Sequence, residues 1–145
     1  MQALPHTYSV NISASSSSNL DVNTDKLPPL VVAAPIEFDG PGDQWSPESL
    51  LLASVSSCLV LSFRAIAKAT GLNWHSIECH TNGVLDKVER QMQFTQFTTV
   101  AKLVIATEAD KDKAASVLIK AEKTCLVSNS LKAQSHLEYD IVIAQ

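Results

Sequence analysis

Residues 46–68 read SPESLLLASVSSCLVLSFRAIAK, and the rest of the chain is organised by what this stretch becomes. Ser46 followed by Pro47 has the form of a helix N-cap with proline at the first helical position. Glu48 puts an acid in the first turn, where the helix dipole favours it. Gly71 is the matching stop, so the pattern predicts one helix from Pro47 to Thr70. Leu51, Val55, Cys58, Ser62 and Ala65 recur at steps of three and four and share one face, expected to be the buried one. Leu50, Leu52, Leu59, Leu61, Phe63 and Ile66 occupy the other faces, so the helix is apolar nearly all round. Such a helix is central to its fold or covered by a second chain.

The surrounding composition is globular: 46% of the 145 residues are hydrophobic and 18% charged, against the low hydrophobicity of a disordered chain. That length fits a single domain over residues 1–145. A net charge of -4, spread along the chain, leaves no basic stripe for phosphates and argues against a nucleic-acid partner. Ser62 and Arg64 interrupt the apolar run, so no membrane span is expected. The opening MQALPHTYSV lacks the basic and apolar regions of a secretory signal, which makes the cytoplasm the expected location. Three cysteines without short repeated spacing do not suggest a disulfide scaffold.

Before the helix, TYSVNISASS and NLDVNTD alternate apolar residues around a serine-rich turn and predict a hairpin. LPPLVVAAPIEF adds a further extended stretch, whose prolines suggest an edge. After the helix, NWHSIECHTNGVLDKV and QMQFTQFTTVAKLVIAT predict two strands joined near ERQ. Phe97, Thr99, Ala101, Leu103 and Ile105 fall on one face of the second, with Phe94 out of phase, so a bulge is expected near Gln96. EADKDKAASVLIKAEKTC reads as an amphipathic helix whose apolar stripe is Ala114, Val117, Leu118, Ala121 and Cys125. HLEYDIVIAQ closes the sheet. Strands, helix, two strands, helix and strand make an α+β fold, with antiparallel pairing expected.

Cys58 and Cys125 each fall on the stripe of a predicted helix, and if those helices pack, the thiols can meet. Buried cysteine ordinarily serves as a small hydrophobe. The alternative is a redox pair, in which one thiolate attacks a peroxide, becomes a sulfenic acid and condenses with the second thiol. That chemistry needs a donor or cation to lower the thiol pKa, and a helix midpoint receives no help from the dipole. Glu48 reads either as a helix-start acid or as a site residue. Ten residues of straight helix measure about 15 Å, so Glu48 reaches Cys58 only if the chain bends before about Leu51 or if the contact comes from a second subunit. Cys79, on the face of Ile77, is expected to pack. His75, Cys79 and His80 do not make a metal site, because His80 points the other way. His6 and His136 have no pairing pattern.

WSPESLLLASVSSCLVLSF resembles the central helix of the OsmC/Ohr family of organic hydroperoxide reductases. AEKTCLVSNSL is similar to that family's second cysteine motif, usually Cys-Pro-Val-Ser-Asn, and PIEFDGPGDQ fits the loop before the helix. The resemblance covers nearly the whole chain. It implies an OsmC-like intertwined homodimer, with an antiparallel sheet wrapped around two central helices and active sites at the subunit interface. It also implies that Cys58 is the peroxidatic cysteine, Cys125 the resolving cysteine and Glu48 the acid that positions a catalytic arginine. The implied activity is that of a thiol-dependent peroxidase, an antioxidant enzyme that reduces organic hydroperoxides. The implied reductant is a dithiol, such as a reduced lipoyl group, and no metal or flavin cofactor takes part.

Two departures bear on that chemistry. The family's arginine comes from the N-terminal strands, whereas here the first arginine is Arg64, followed only by Arg90, and Lys26 is the one basic side chain before Glu48 apart from His6. Lysine does not substitute for arginine at a bidentate site. Leu126 stands where the second motif has proline. These departures keep two other readings open: a non-catalytic OsmC-like protein that binds an apolar ligand at the dimer interface, and a thiol redox sensor.

Overall fold

The computed structural model describes residues 1–145, which divide into two compact units, Met1–Leu50 and Leu51–Gln145. In the first, β1 (Asn11–Ser13), β2 (Leu20–Asn23) and β3 (Leu30–Val32) form an antiparallel meander in that order. The serine-rich turn is closed by its own hydroxyls, Ser15 and Ser18 each accepting the other's backbone N–H. The expected extended stretch ends at Val32, and Ile36–Phe38 is a 3-10 turn instead. Gly40 is required behind it, since a Cβ there would overlap the Ala34 carbonyl oxygen.

Helix α1 spans Pro47–Thr70, the bounds expected, and it is uninterrupted, so the chain does not bend before Leu51. Ser46 caps it: its Oγ accepts from the Ser49 N–H at 3.1 Å, and its own N–H donates to the Ser49 Oγ at 2.9 Å. This is a capping box in which a serine replaces the usual glutamate. Gly71, at φ 65°, supplies the left-handed residue that ends the helix.

The second unit contains the long hairpin of β4 (Trp74–Val88) and β5 (Gln91–Ile105). Its two-residue turn, Glu89 and Arg90, has positive φ at both positions, as a type I′ turn demands. Thr95 is left without a register partner between Val84↔Gln96 and Leu85↔Phe94, which is the bulge expected one residue away at Gln96. It turns Phe94 to within 5.2 Å of Phe97, and Phe97, Thr99, Ala101, Leu103 and Ile105 are all buried. Helix α2 (Lys111–Lys123) buries Ala114, Val117, Leu118 and Ala121, as its periodicity requires. A four-residue helix α3 (Leu126–Asn129) and strand β6 (Gln134–Ile143) complete the unit.

Two expectations need correction. Strand β6 pairs with β5 in parallel, so β5, α2 and β6 make a crossover unit and the three-stranded sheet β4-β5-β6 is mixed within an α+β fold. The stripe of α1 that enters the core is Val55, Leu59, Phe63 and Ala67 rather than the one through Cys58, Ser62 and Ala65. Leu59, Phe63 and Ala67 join Ala101, Leu103 and Ile105 of β5 and the α2 stripe in one cluster. Outside that stripe α1 stays apolar, with Leu61 59% exposed. By length and hydropathy α1 would even suffice to cross a membrane, contrary to the expectation from Ser62 and Arg64, although it packs here as a core helix.

Phe63 is fully buried and stacks edge-on against Trp74 at 5.1 Å. Truncation at this position leaves a cavity where helix and sheet meet. Phe63→Ala is expected to destabilise the protein by about 3–5 kcal/mol, read as a lower urea midpoint with an unchanged slope. A loss below 1 kcal/mol would mean that the helix is not held by this stripe.

Candidate active site

Cys125 is the residue before α3, where the chain leaves α2 in an extended conformation at φ -64° and ψ 103°. It therefore lies past the end of α2, not in its last turn, but on the core side as expected, with 1% of its surface exposed. Its Sγ accepts a hydrogen bond from the Ser128 hydroxyl at 3.3 Å and faces the Val55 carbonyl of α1 at 4.0 Å. Cys58, one turn further along α1, is partly buried, and its thiol is within hydrogen-bonding reach of Cys125. All three cysteines are free thiols.

Several neighbours act on Cys58. Burial pushes its thiol pKa up, the adjacent Cys125 thiol adds to the rise, and the backbone N–H groups of Val127 and Leu126 pull it down; the rise prevails. The thiolate is the reactive form, so this chain by itself holds Cys58 mainly as the thiol at neutral pH. Leu126 has a specific consequence at this point. Proline at the first position of α3 would carry no N–H, whereas leucine supplies one toward the sulfur.

Glu48 belongs to the first unit. Its Oε2 is buried and has no hydrogen-bond partner. It lines a cavity of ≈ 500 Å³ together with Leu20, Val32, Pro35, Phe38 and Asp39. The lining is largely apolar and carries two carboxylates and no basic side chain. A buried carboxylate oxygen without a donor is costly unless something supplies one.

The other candidates stay apart from the thiol pair. Cys79 lies on β4 with Ile77 against the core, and burial alone pushes its thiol up. His75 sits at an unpaired position between Trp74 and Ser76, and His80 is exposed on the face away from Cys79. No three His, Cys, Asp or Glu side chains converge as metal ligands would. His6 is exposed in the first unit and His136 lies on β6. Arg64 is exposed on α1, Arg90 occupies the hairpin turn, and Lys26 sits at φ 62° in a surface turn. None of the three forms an ion pair, the single salt bridge being Lys111 with Glu108. Leu126 was singled out by the sequence only as a departure from the motif's proline, and Ser128 and Val127 were given no role. A serine three residues after a cysteine, at the start of a turn, was the available signal.

The family described as OsmC-like protein matches residues 40–140. Among curated proteins, an uncharacterized protein of Bacillus subtilis, YmaD, is 22% identical over 112 residues, covering 75% of each chain. Among solved structures, an OsmC-like protein of unknown function from Vibrio cholerae superposes with a TM-score of 0.86 at 16% identity, covering 94% of this chain and 100% of that one. An organic hydroperoxide resistance protein OsmC from Legionella pneumophila gives 0.73 at 21% identity over 95% and 99% of the two chains. An organic hydroperoxide resistance protein from Elizabethkingia anophelis gives 0.74 at 17% identity, over 97% and 100%. With the family match running over residues 40–140, most of its length, the chain belongs to the OsmC-like family.

Proposed function

We propose that this protein is a thiol-dependent peroxidase that reduces organic hydroperoxides and works as a homodimer in the reducing cytoplasm. The observation that carries the reading is the juxtaposition of two free thiols, one partly accessible and one enclosed, from positions 67 residues apart (125 minus 58). The Cys58 thiolate attacks the distal peroxide oxygen. The O–O bond breaks, the alkoxide takes a proton and leaves as the alcohol, and Cys58 becomes a sulfenic acid. Cys125 then attacks that sulfur, and the disulfide forms as water departs. A dithiol, such as a reduced lipoyl group, restores both thiols and becomes a disulfide itself.

The dimer is supported by α1. Only Val55, Leu59, Phe63 and Ala67 of its 24 residues are buried, too little cover for a helix so apolar. Val84, Leu85, Val88 and Met92 at the far end of the β4–β5 hairpin are likewise exposed. A second copy that packs on these surfaces covers them. It also brings a further Arg64 and Arg90, the chain's two arginines, as candidate cations for Cys58 and Glu48, since the first 63 residues of either copy carry only Lys26 and His6 as basic side chains.

A second reading, a binding protein for an apolar ligand, draws on the cavity around Glu48 and on the upward shift of Cys58. In that case the cysteines are remnants of a lost activity.

Peptide mass spectrometry after one equivalent of cumene hydroperoxide tests the chemistry. The peroxidase forms the Cys58–Cys125 disulfide within seconds, Cys58→Ser abolishes turnover, and Cys125→Ser accumulates sulfenic acid on Cys58. Undiminished turnover in Cys58→Ser would end the proposal. The pH dependence of Cys58 alkylation separates the two readings. A midpoint below that of free cysteine in the assembled protein supports the enzyme, and one above it, as burial alone dictates, supports the binder. Leu126→Pro removes one donor in a place where the extended backbone of Cys125 already suits a following proline. It is expected to move the midpoint upward; an unmoved midpoint would show that the Leu126 N–H has no influence on the thiol. Sedimentation tests the dimer. The wild type is expected at twice the 15.6 kDa chain mass, and Leu61→Asp is expected to shift it to the monomer. A Leu61→Asp protein that remains dimeric would place the interface elsewhere.

A further inference from the structure

We propose that Ser128 is a positioning residue for the disulfide-forming step, through the hydroxyl it directs at Cys125; this rests on the peroxidase reading above. Three observations lead to it. The Ser128 Oγ–H donates to the Cys125 Sγ at 3.3 Å; apart from Cys58, the reaction partner itself, the other polar group facing that sulfur is the Val55 carbonyl at 4.0 Å, which can only accept. Cys125 is 1% exposed, so bulk water does not reach it. The void beside it measures ≈ 10 Å³, the lower bound for a single water.

As charge collects on Cys125, the Ser128 hydroxyl is therefore the donor that faces it from outside the reacting pair. Neighbouring hydroxyls behave differently. Thr124 donates to the Lys120 carbonyl at 2.9 Å and Ser130 to the Leu126 carbonyl at 2.7 Å, each satisfying its own helical turn. Ser128, partly buried, gives its proton to sulfur instead.

The resolving step balances as Cys58–SOH plus Cys125–SH giving the disulfide and water. The Cys125 sulfur is oxidised, the sulfenic sulfur is reduced, and the thiol proton leaves with the departing hydroxide. Ser128 keeps its proton and strengthens its hydrogen bond as charge collects on Cys125. When a dithiol later opens the disulfide at the more accessible Cys58, the same hydroxyl receives the departing Cys125 thiolate. Ser128 thus acts on the step in both directions.

A hydrogen bond to a charged group is worth about 10- to 100-fold in the stability of that charge. Roughly half of that gain is returned as lower intrinsic nucleophilicity. Disulfide closure in Ser128→Ala is accordingly expected to slow about 3- to 10-fold.

The test is rapid quench followed by mass spectrometry on the reduced wild type, Ser128→Ala and Ser128→Thr. Each is oxidised with one equivalent of cumene hydroperoxide and, separately, with diamide, which activates a cysteine without a peroxide. The expected result is slowed Cys58–Cys125 closure in Ser128→Ala with both oxidants, sulfenic acid formation on Cys58 at the wild-type rate, and restored closure in Ser128→Thr. Closure in Ser128→Ala at the wild-type rate, or Ser128→Thr as slow as Ser128→Ala, would overturn the assignment. If the wild type forms no sulfenic acid with peroxide, the peroxidase reading fails, and the diamide arm still decides the role of Ser128.

Discussion

The seating of α1 on the mixed sheet through Val55, Leu59, Phe63 and Ala67 is the constraint on which the second unit depends. This stripe advances by four residues at each step, and it locks the helix azimuth by burying one residue per turn. With that azimuth set, Cys58 cannot be in the core. It is held at the margin of the buried stripe, where one side of the thiol meets Cys125 and the turn that opens α3. Val55 contributes twice, since its side chain is part of the stripe and its carbonyl faces the Cys125 sulfur. A rotation of the helix by one residue would bury Cys58 and take it away from the second thiol. The packing of apolar side chains thereby sets the distance over which the cysteines interact.

Much of this arrangement was legible in the sequence, and the parts that were not have definite physical reasons. The phase of β5 could be read because buried and exposed positions differ in polarity, and Phe94, out of step, marked the bulge. The same contrast revealed the face of α2. On α1 there is no contrast, because leucine, valine, isoleucine and phenylalanine occupy every face, so periodicity could not single out the stripe that enters the core. The direction of β6 was hidden because alternation looks alike in parallel and antiparallel strands. Cys58, Cys125 and Glu48 could be nominated from motifs. The role of Ser128 could not, since its hydroxyl is distinguished from those of Thr124 and Ser130 only by where the backbone aims it.

The environment of Cys58 sets two requirements against each other. Enclosure brings the thiols together, but it also disfavours the thiolate that begins the reaction. The chain answers in part with backbone donors. Val127 supplies an N–H at a position where the motif too has valine and hence the same donor. Leu126 supplies one that depends on its not being proline, because proline at that position would leave the sulfur with one fewer dipole. The change costs little locally: Leu126 is 70% exposed and opens a short helix that does not need proline's fixed φ to form. A backbone N–H is a weaker counterpart for a thiolate than a guanidinium, and the upward shift of Cys58 shows that the donors do not outweigh burial.

The two remaining deficits both lie on α1. Its first turn carries a carboxylate oxygen that is buried and lacks a donor, and its later turns carry leucines that lack cover. Each deficit is unfavourable for a different reason, the first through desolvation of a polar atom and the second through apolar area left in water. Apolar cover alone would not relieve the first, because excluding more water from an unpaired oxygen raises its cost. Small cationic ligands would satisfy the oxygen and leave the leucines wet. A second copy of the chain can meet both needs, provided that the surface it lays along α1 is apolar over most of its length and presents a donor at the end near Glu48. An identical copy has no N-terminal arginine to lend, so in that arrangement the donor is a residue that both copies carry, Arg64, Arg90 or a lysine, brought to Glu48 by the way the chains pack.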